Sequence, residues 1–109
     1  MRALLKSALA LIALGALVLP VSAGTLEDVK SRGELRCVVS TGIAGFAYPD
    51  ESGTWKGFDI DFCRATAAAV LGSASKIKAV TSTGKTRFTK LNSGEGDVLW
   101  RNTTITFSR

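Results

Sequence analysis

The sequence predicts an α/β fold: a small parallel sheet with strand order 2-1-3 and flanking helices. One observation is the alternation of apolar patterns, which reads strand, helix, strand, helix, strand from Leu35 to Trp100. A second is the punctuation, since Gly33, Gly72 and Gly94 each follow a helical stretch, where a left-handed cap is wanted. The third is handedness: right-handed crossovers set strand one between strands two and three.

The elements follow in order. Thr25 stands where it can cap a short helix, with Asp28 in the capping-box position and Gly33 at the end. Leu35 to Ser40 reads as strand one, with Leu35, Cys37 and Val39 on one face. Val38 on the other implies that both faces are covered. Thr41 to Lys56 is loop-like, and Asp50-Glu51-Ser52-Gly53 is a turn between two short extended pieces. Asp59 opens a helix to about Leu71, closed by Gly72, with Asp59 and Asp61 in the first turn, where the dipole favours acids. Cys63, Ala67 and Val70 share its inner face, and Phe58 and Phe62 are expected in the core. Lys76 to Thr81 is strand two. Thr86 to Asn92 is a short helix with Phe88 and Leu91 inward, and Asp97 to Trp100 is strand three.

Residues 1–23 stand apart as a signal peptide. Arg2 and Lys6 precede an apolar run from Leu9 to Leu19, and Val21-Ser22-Ala23 supplies small residues for cleavage after Ala23. The run is shorter than the roughly 20 residues a membrane span needs, an uncleaved anchor being the competing reading. Two of the 14 basic residues lie in this segment, so residues 24–109 carry 12 against nine acids, a net charge of +3. That mild bias suits an anion, but the scattered basic residues do not make a nucleic-acid surface. The chain has no His, so neither a metal site nor a cofactor is expected. Two cysteines in an exported chain suggest a disulfide between Cys37, inside strand one, and Cys63, on the inner stripe of the long helix. Two buried thiols are the alternative.

Strands one and three are neighbours whose connections leave in opposite directions, which creates a topological switch point beyond their carboxyl ends. The loop from Thr41 and the loop from Arg101 emerge there. The latter opens the tail RNTTITFSR, where Thr103, Thr104 and Thr106 offer hydroxyls and Arg109 a fork suited to a carboxylate. A polar tail lying in solvent is the competing reading. Phe46 or Tyr48 can cover the apolar part of a small ligand. Asp59 and Asp61 read as helix-terminal acids rather than a catalytic pair, and Lys85-Thr86-Arg87 as a solvated face. No catalytic residue and no enzyme activity is expected.

Three stretches, ELRCVVSTGIAGFAYPD, TWKGFDIDFCRATAAAVLG and RFTKLNSGEGDVLWRNTTITFSR, together resemble the periplasmic solute-binding proteins of polar amino-acid ABC transporters, and among them the general L-amino-acid-binding branch. The two cysteines fit that branch. The resemblance runs from about Thr25 to Arg109. It implies that residues 24–109 are the N-terminal part of the first lobe of a periplasmic-binding-protein fold, with the second lobe absent. It also implies binding of an L-amino acid in the periplasm, delivery to a membrane permease and a monomeric state. Thr104 and Arg109 then match the groups that hold the ligand's α-carboxylate. Asn102 matches a backbone carbonyl facing the α-ammonium, and Phe46, beside Thr41, an aromatic near the ligand. Because such proteins close two lobes around the ligand, one partial lobe is expected to bind weakly or undetectably. The alternatives are a gene fragment without function, or a periplasmic dehydratase or lyase on the same fold. Trp100 stands where relatives tend to carry a small residue and Gly96 where an apolar one is expected, a sign of relaxed constraint.

Overall fold

The computed structural model describes residues 24–108. The signal-peptide segment and Arg109 lie outside the described residues. The elements are α1 (Thr25–Arg32), β1 (Leu35–Ser40), β2 (Tyr48–Pro49), β3 (Trp55–Lys56), α2 (Phe58–Leu71), β4 (Ile77–Ser82), α3 (Arg87–Asn92) and β5 (Val98–Leu99). The main sheet has the order β4-β1-β5 with both pairings parallel, the 2-1-3 arrangement expected from the element order. β4 pairs along all six residues of β1, from Leu35 opposite Ile77 to Ser40 opposite Ser82. β5 pairs more briefly, Cys37 opposite Val98 and Val38 opposite Leu99. Flanking bonds from Asp97 N–H to the Arg36 carbonyl and from Trp100 N–H to the Val38 carbonyl lengthen that ladder.

A central parallel strand must be apolar on both sides, and β1 is. Leu35, Cys37 and Val39 enter a core with Val29 of α1 and Ile60, Cys63 and Ala67 of α2. The Cys37–Cys63 disulfide pins α2 to β1 with a Cα separation of 6.2 Å. Val38 is fully buried on the other face, where Gly96 lies against it, and a Cβ at Gly96 would collide with Val38 Cγ2. The missing side chain at position 96 is therefore a packing requirement set by Val38, rather than the relaxed constraint expected from the sequence.

Several local expectations change. Gly24, in extended conformation, precedes α1, and Thr25 is already its first residue, so Thr25 makes no cap. Phe58 and Phe62 are not core residues; they are 59% and 42% exposed. At about 100° per residue they fall opposite Ile60, Cys63 and Ala67, which occupy the inward face of α2. There Phe58 packs edge-on against Phe62 with centroids 4.8 Å apart, and Phe62 stacks on Trp100 at 5.0 Å. In α3, Phe88 faces outward and Arg87 inward, because the Arg87 guanidinium is drawn to a carbonyl beyond β5.

The turn between β2 and β3 forms as expected. The Asp50 carboxylate accepts bonds from Ser52 N–H, Thr54 N–H and the Ser52 hydroxyl, and pairs with Lys56 at 2.7 Å. That Lys56 contact first, and then the Ser52 and Thr54 donors, hold the Asp50 pKa well below its usual value. The hairpin returns the chain to α2 through Gly57, whose φ of 116° and close approach to the Phe46 carbonyl exclude any side chain. Phe58 N–H and Asp59 N–H donate to the carbonyls of Gly45 and Phe46, so the start of α2 is fastened to the loop that follows β1.

Candidate functional site

Parallel strands end on the same side, and the residues that leave β1, β4 and β5 there are Ser40, Ser82 and Trp100. The two serines are buried, and each spends its hydroxyl on the main chain. Ser40 Oγ donates to the Ala47 carbonyl at 3.2 Å, and Ser82 Oγ donates to the Val39 carbonyl at 2.9 Å. Arg101, the first residue beyond Trp100, turns back across the central strand. Its Nη1 donates to the Ser82 carbonyl at 2.5 Å and approaches the Ser82 hydroxyl at 3.3 Å, while Nε donates to Asn102 Oδ1 at 3.2 Å. From the opposite side, Arg87 Nη1 donates to the Asn102 carbonyl at 2.9 Å. Two arginines thus fix the first half of the RNTT segment over the strand ends.

Four of the buried polar atoms around this point have no hydrogen-bond partner among the described residues: Arg87 Nε, Asp59 Oδ2, Trp100 Nε1 and Thr103 Oγ1. Buried polar groups are normally paired, so these atoms are left for water or a ligand to satisfy. The electrostatics agree. Burial first, and then the neighbouring Arg87 charge, lower the Arg101 pKa from its usual value, with Asp59 opposing them. Burial raises the Asp59 pKa, and the Arg101 charge opposes that shift.

Thr41 is exposed directly after β1. Phe46 is partly exposed and meets Phe58 edge-on at 6.4 Å, which joins it to the aromatic row that ends at Trp100. Asn102 and Thr104 are exposed beyond β5. The Asn102 carbonyl, expected to face an ammonium group, already accepts from Arg87, which leaves one lone pair for a ligand. Arg109 is outside the described residues. Arg87, expected on a solvated face, and Asp59, expected as a helix-terminal acid, take part here, as do the side chains of Arg101 and Ser82, for which the sequence suggested no role. Arg87 in particular is buried, not solvated. The available signal was position: Ser82 ends the second strand of the sheet and Arg101 follows the third, so both had to arrive at the switch point.

A doubly wound parallel sheet with a donor-lined switch point defines a small-molecule binding class, and comparison with known proteins gives the family. Residues 35–109 match the bacterial extracellular solute-binding proteins, family 3, and the chain belongs to that family. It is 53% identical over 110 residues to the general L-amino acid-binding periplasmic protein AapJ of Rhizobium johnstonii, with 96% of this chain and 32% of the relative covered. Among solved structures, a periplasmic binding protein of an ABC transporter from Brucella ovis with glutathione bound superposes with a TM-score of 0.77 at 55% identity, over 80% of this chain and 27% of that one. The arginine-bound form of domain 1 from TmArgBP gives a TM-score of 0.65 at 33% identity, over 75% of this chain and 63% of that one. The chain spans about a third of the length of the curated relative it matches.

Proposed function

We propose that this chain binds an L-amino acid at the carboxyl ends of β1, β4 and β5. As part of a longer solute-binding protein, it presents that ligand to the permease of an ABC transporter. The observation that carries the proposal is the fixing of Asn102 by Arg87 and Arg101 over the strand ends, beside buried polar atoms of Arg87, Asp59, Trp100 and Thr103 that have no partner among the described residues. In this reading the Thr104 hydroxyl and the Arg109 guanidinium hold the α-carboxylate, the Arg fork supplying two parallel donors. The remaining lone pair of the Asn102 carbonyl accepts from the α-ammonium, and Thr41 and Phe46 flank the ligand. Residues 1–23 direct export to the periplasm and are removed after Ala23, and the protein acts as a monomer.

AapJ is named as a general L-amino acid-binding protein, which supports the ligand class. The arginine-bound domain 1 of TmArgBP supports ligand retention by a single lobe. Tested by itself, a stretch that spans about a third of AapJ's length supplies only part of the ligand's surroundings, so we expect dissociation constants of about 0.1–1 mM, worth roughly 4–5.5 kcal/mol. Titration of isotope-labelled protein with a panel of L-amino acids, followed by NMR, tests this. Shifts should concentrate at residues 41–46 and 101–104. No response to any amino acid at about 10 mM sinks the proposal, since binding weaker than that falls below about 3 kcal/mol. Mass spectrometry of periplasmic material should find Gly24 as the first residue; a retained Met1 refutes the export reading.

A further inference from the structure

β4 is an edge of the sheet: β1 pairs along one side of it, and no strand pairs along the other among the described residues. The Leu35 N–H donates to the Lys76 carbonyl, which sets the alternation along β4. Lys78 and Val80 therefore turn their main-chain groups to β1, while Ile77, Ala79 and Thr81 turn theirs outward. Side chains alternate between the two faces. Lys78 and Val80 stand opposite Arg36 and Val38, on the face away from α2. α3 packs there over β1 and β5 and leaves the β4 share of that face open, with Val80 half-buried and Lys78 exposed.

The result is a groove of about 390 Å³, lined by Val80 and Thr81 of β4 and by the charged groups of Arg36, Lys78, Lys90 and Glu95. Acids run short in it. Lys90 holds Glu95 at 3.0 Å, and Arg36 shares Asp97 with Arg32. Lys78 has no carboxylate within ion-pair distance among the described residues, and Arg36 Nε is buried without a hydrogen-bond partner.

An open strand edge beside a cationic groove suits an added strand that carries acids. Main-chain bonds supply affinity, and alternate side chains of the added strand enter the groove. A second copy of this chain fits poorly, because two β4 edges bring the exposed Lys76 and Lys78 of both copies to one seam. Lysine guards an edge against self-pairing in this way. The same charge steers and favours an acidic partner.

We propose that the outer edge of β4 is a docking surface for an extended acidic segment of a partner protein. The segment adds as a strand beside β4 and places a carboxylate between Lys78 and the Arg36 guanidinium. This surface is separate from the amino-acid site, since Arg36 and Lys78 lie toward the amino ends of their strands, and it stands whether or not that reading holds.

The probe is a blocked peptide of alternating threonine and glutamate, about eight residues long, compared with the same peptide carrying glutamine. Amide exchange followed by NMR reads both place and mode. The glutamate peptide at about 1 mM should slow exchange at Ile77, Ala79 and Thr81 and leave Lys78 and Val80, already turned to β1, unchanged. The glutamine peptide should bind at least about tenfold more weakly, a gap that narrows as salt rises. K78E should close the gap, and Lys78 is exposed, so that variant keeps its fold. Four results overturn the proposal: no slowing at the edge amides, shifts at Lys78 and Lys90 without it (an anion contact only), equal binding of the two peptides, or a preference that survives K78E. Should K78E fail to fold, the exchange pattern and the salt dependence of the unaltered chain still decide.

Discussion

Arg87 Nη1 donates to the main-chain carbonyl of Asn102 at 2.9 Å, which ties the first turn of α3 to the loop that follows β5. The bond is charge-assisted and nearly buried, so R87M should cost about 1.5–3 kcal/mol in denaturant unfolding. It should also release the loop, so amide exchange at residues 102–104 should quicken more than exchange in β1. Unchanged exchange there means that Arg87 does not hold the segment.

The Cys37–Cys63 bridge closes 26 residues between the central strand and the helix packed on it. In the loop-entropy description such a closure is worth about 3–4 kcal/mol. A domain of this size buries only about 60% of its unfolded surface, so that loss takes a large part of its stability. The double variant C37S/C63S should shift the denaturation midpoint sharply, and reductant should do the same to the unaltered chain. A reductant-insensitive midpoint excludes a stabilising bridge.

Gly96 and Val38 occupy one another's space across the sheet. G96A should destabilise by about 1–3 kcal/mol through overpacking. In a V38A background the same change should cost much less, because the colliding methyl is gone. Equal penalties in both backgrounds mean the collision is relieved by backbone movement.

Asp97 has a side chain only 5% exposed, contacts the guanidinium groups of both Arg32 and Arg36 and accepts from Arg36 N–H at 2.8 Å. It fastens β5 to β1 at the amino end of the sheet. D97A should cost about 1.5–3 kcal/mol in equilibrium unfolding. A change within about 0.5 kcal/mol assigns these contacts to the weak surface class.

Asp59 gives a pH signature. Its folded pKa is raised, chiefly by burial, above the usual 3.8, so its contribution to stability is fully present below that value and is lost as pH rises through the folded pKa. D59N, which cannot ionise, should therefore gain thermal stability relative to the unaltered chain as pH climbs from about 3 to 6. Asp50 has the opposite sign: its folded pKa is lowered by Lys56, so its contribution is present above 3.8 and fades in acid. A melting-temperature difference between D59N and the unaltered chain that stays flat with pH refutes the burial argument for Asp59.

The sheet order was legible because it follows from element order and handedness, and the elements were legible because Leu35–Ser40 and Ile60–Ala67 carry clean periods and Gly33 and Gly72 mark their ends. That order also laid α2 over β1 and so brought Cys37 and Cys63 within reach of each other, while two buried thiols stayed open until the structure showed the bridge. Helix rotation was less legible. The phenylalanines of α2 and α3 are apolar, and nothing local says whether a half-buried helix turns Phe58 or Ile60 inward; the sheet surface decides, and it chose Ile60. Arg87 illustrates the same difficulty from the polar side. Beside Lys85 and Thr86 it reads as a solvated charge, and only the arrival of the Asn102 carbonyl from fifteen residues on makes burial favourable.

By itself, then, the sequence determined the class of fold, the central place of β1, the nearness of Cys37 to Cys63, and the gathering of the Thr41 and Arg101 loops at one end of the sheet. These depend on periodicity, chirality and chain order, which are local or topological quantities. The tertiary structure decided that Gly96 must lack a side chain because Val38 fills the space, that Phe58 and Phe62 face outward along Trp100, and that Arg87 and Arg101 converge on Asn102 and Ser82. Each of these depends on which atoms meet across elements distant in sequence. Close packing and the pairing of buried polar groups are settled only at those contacts.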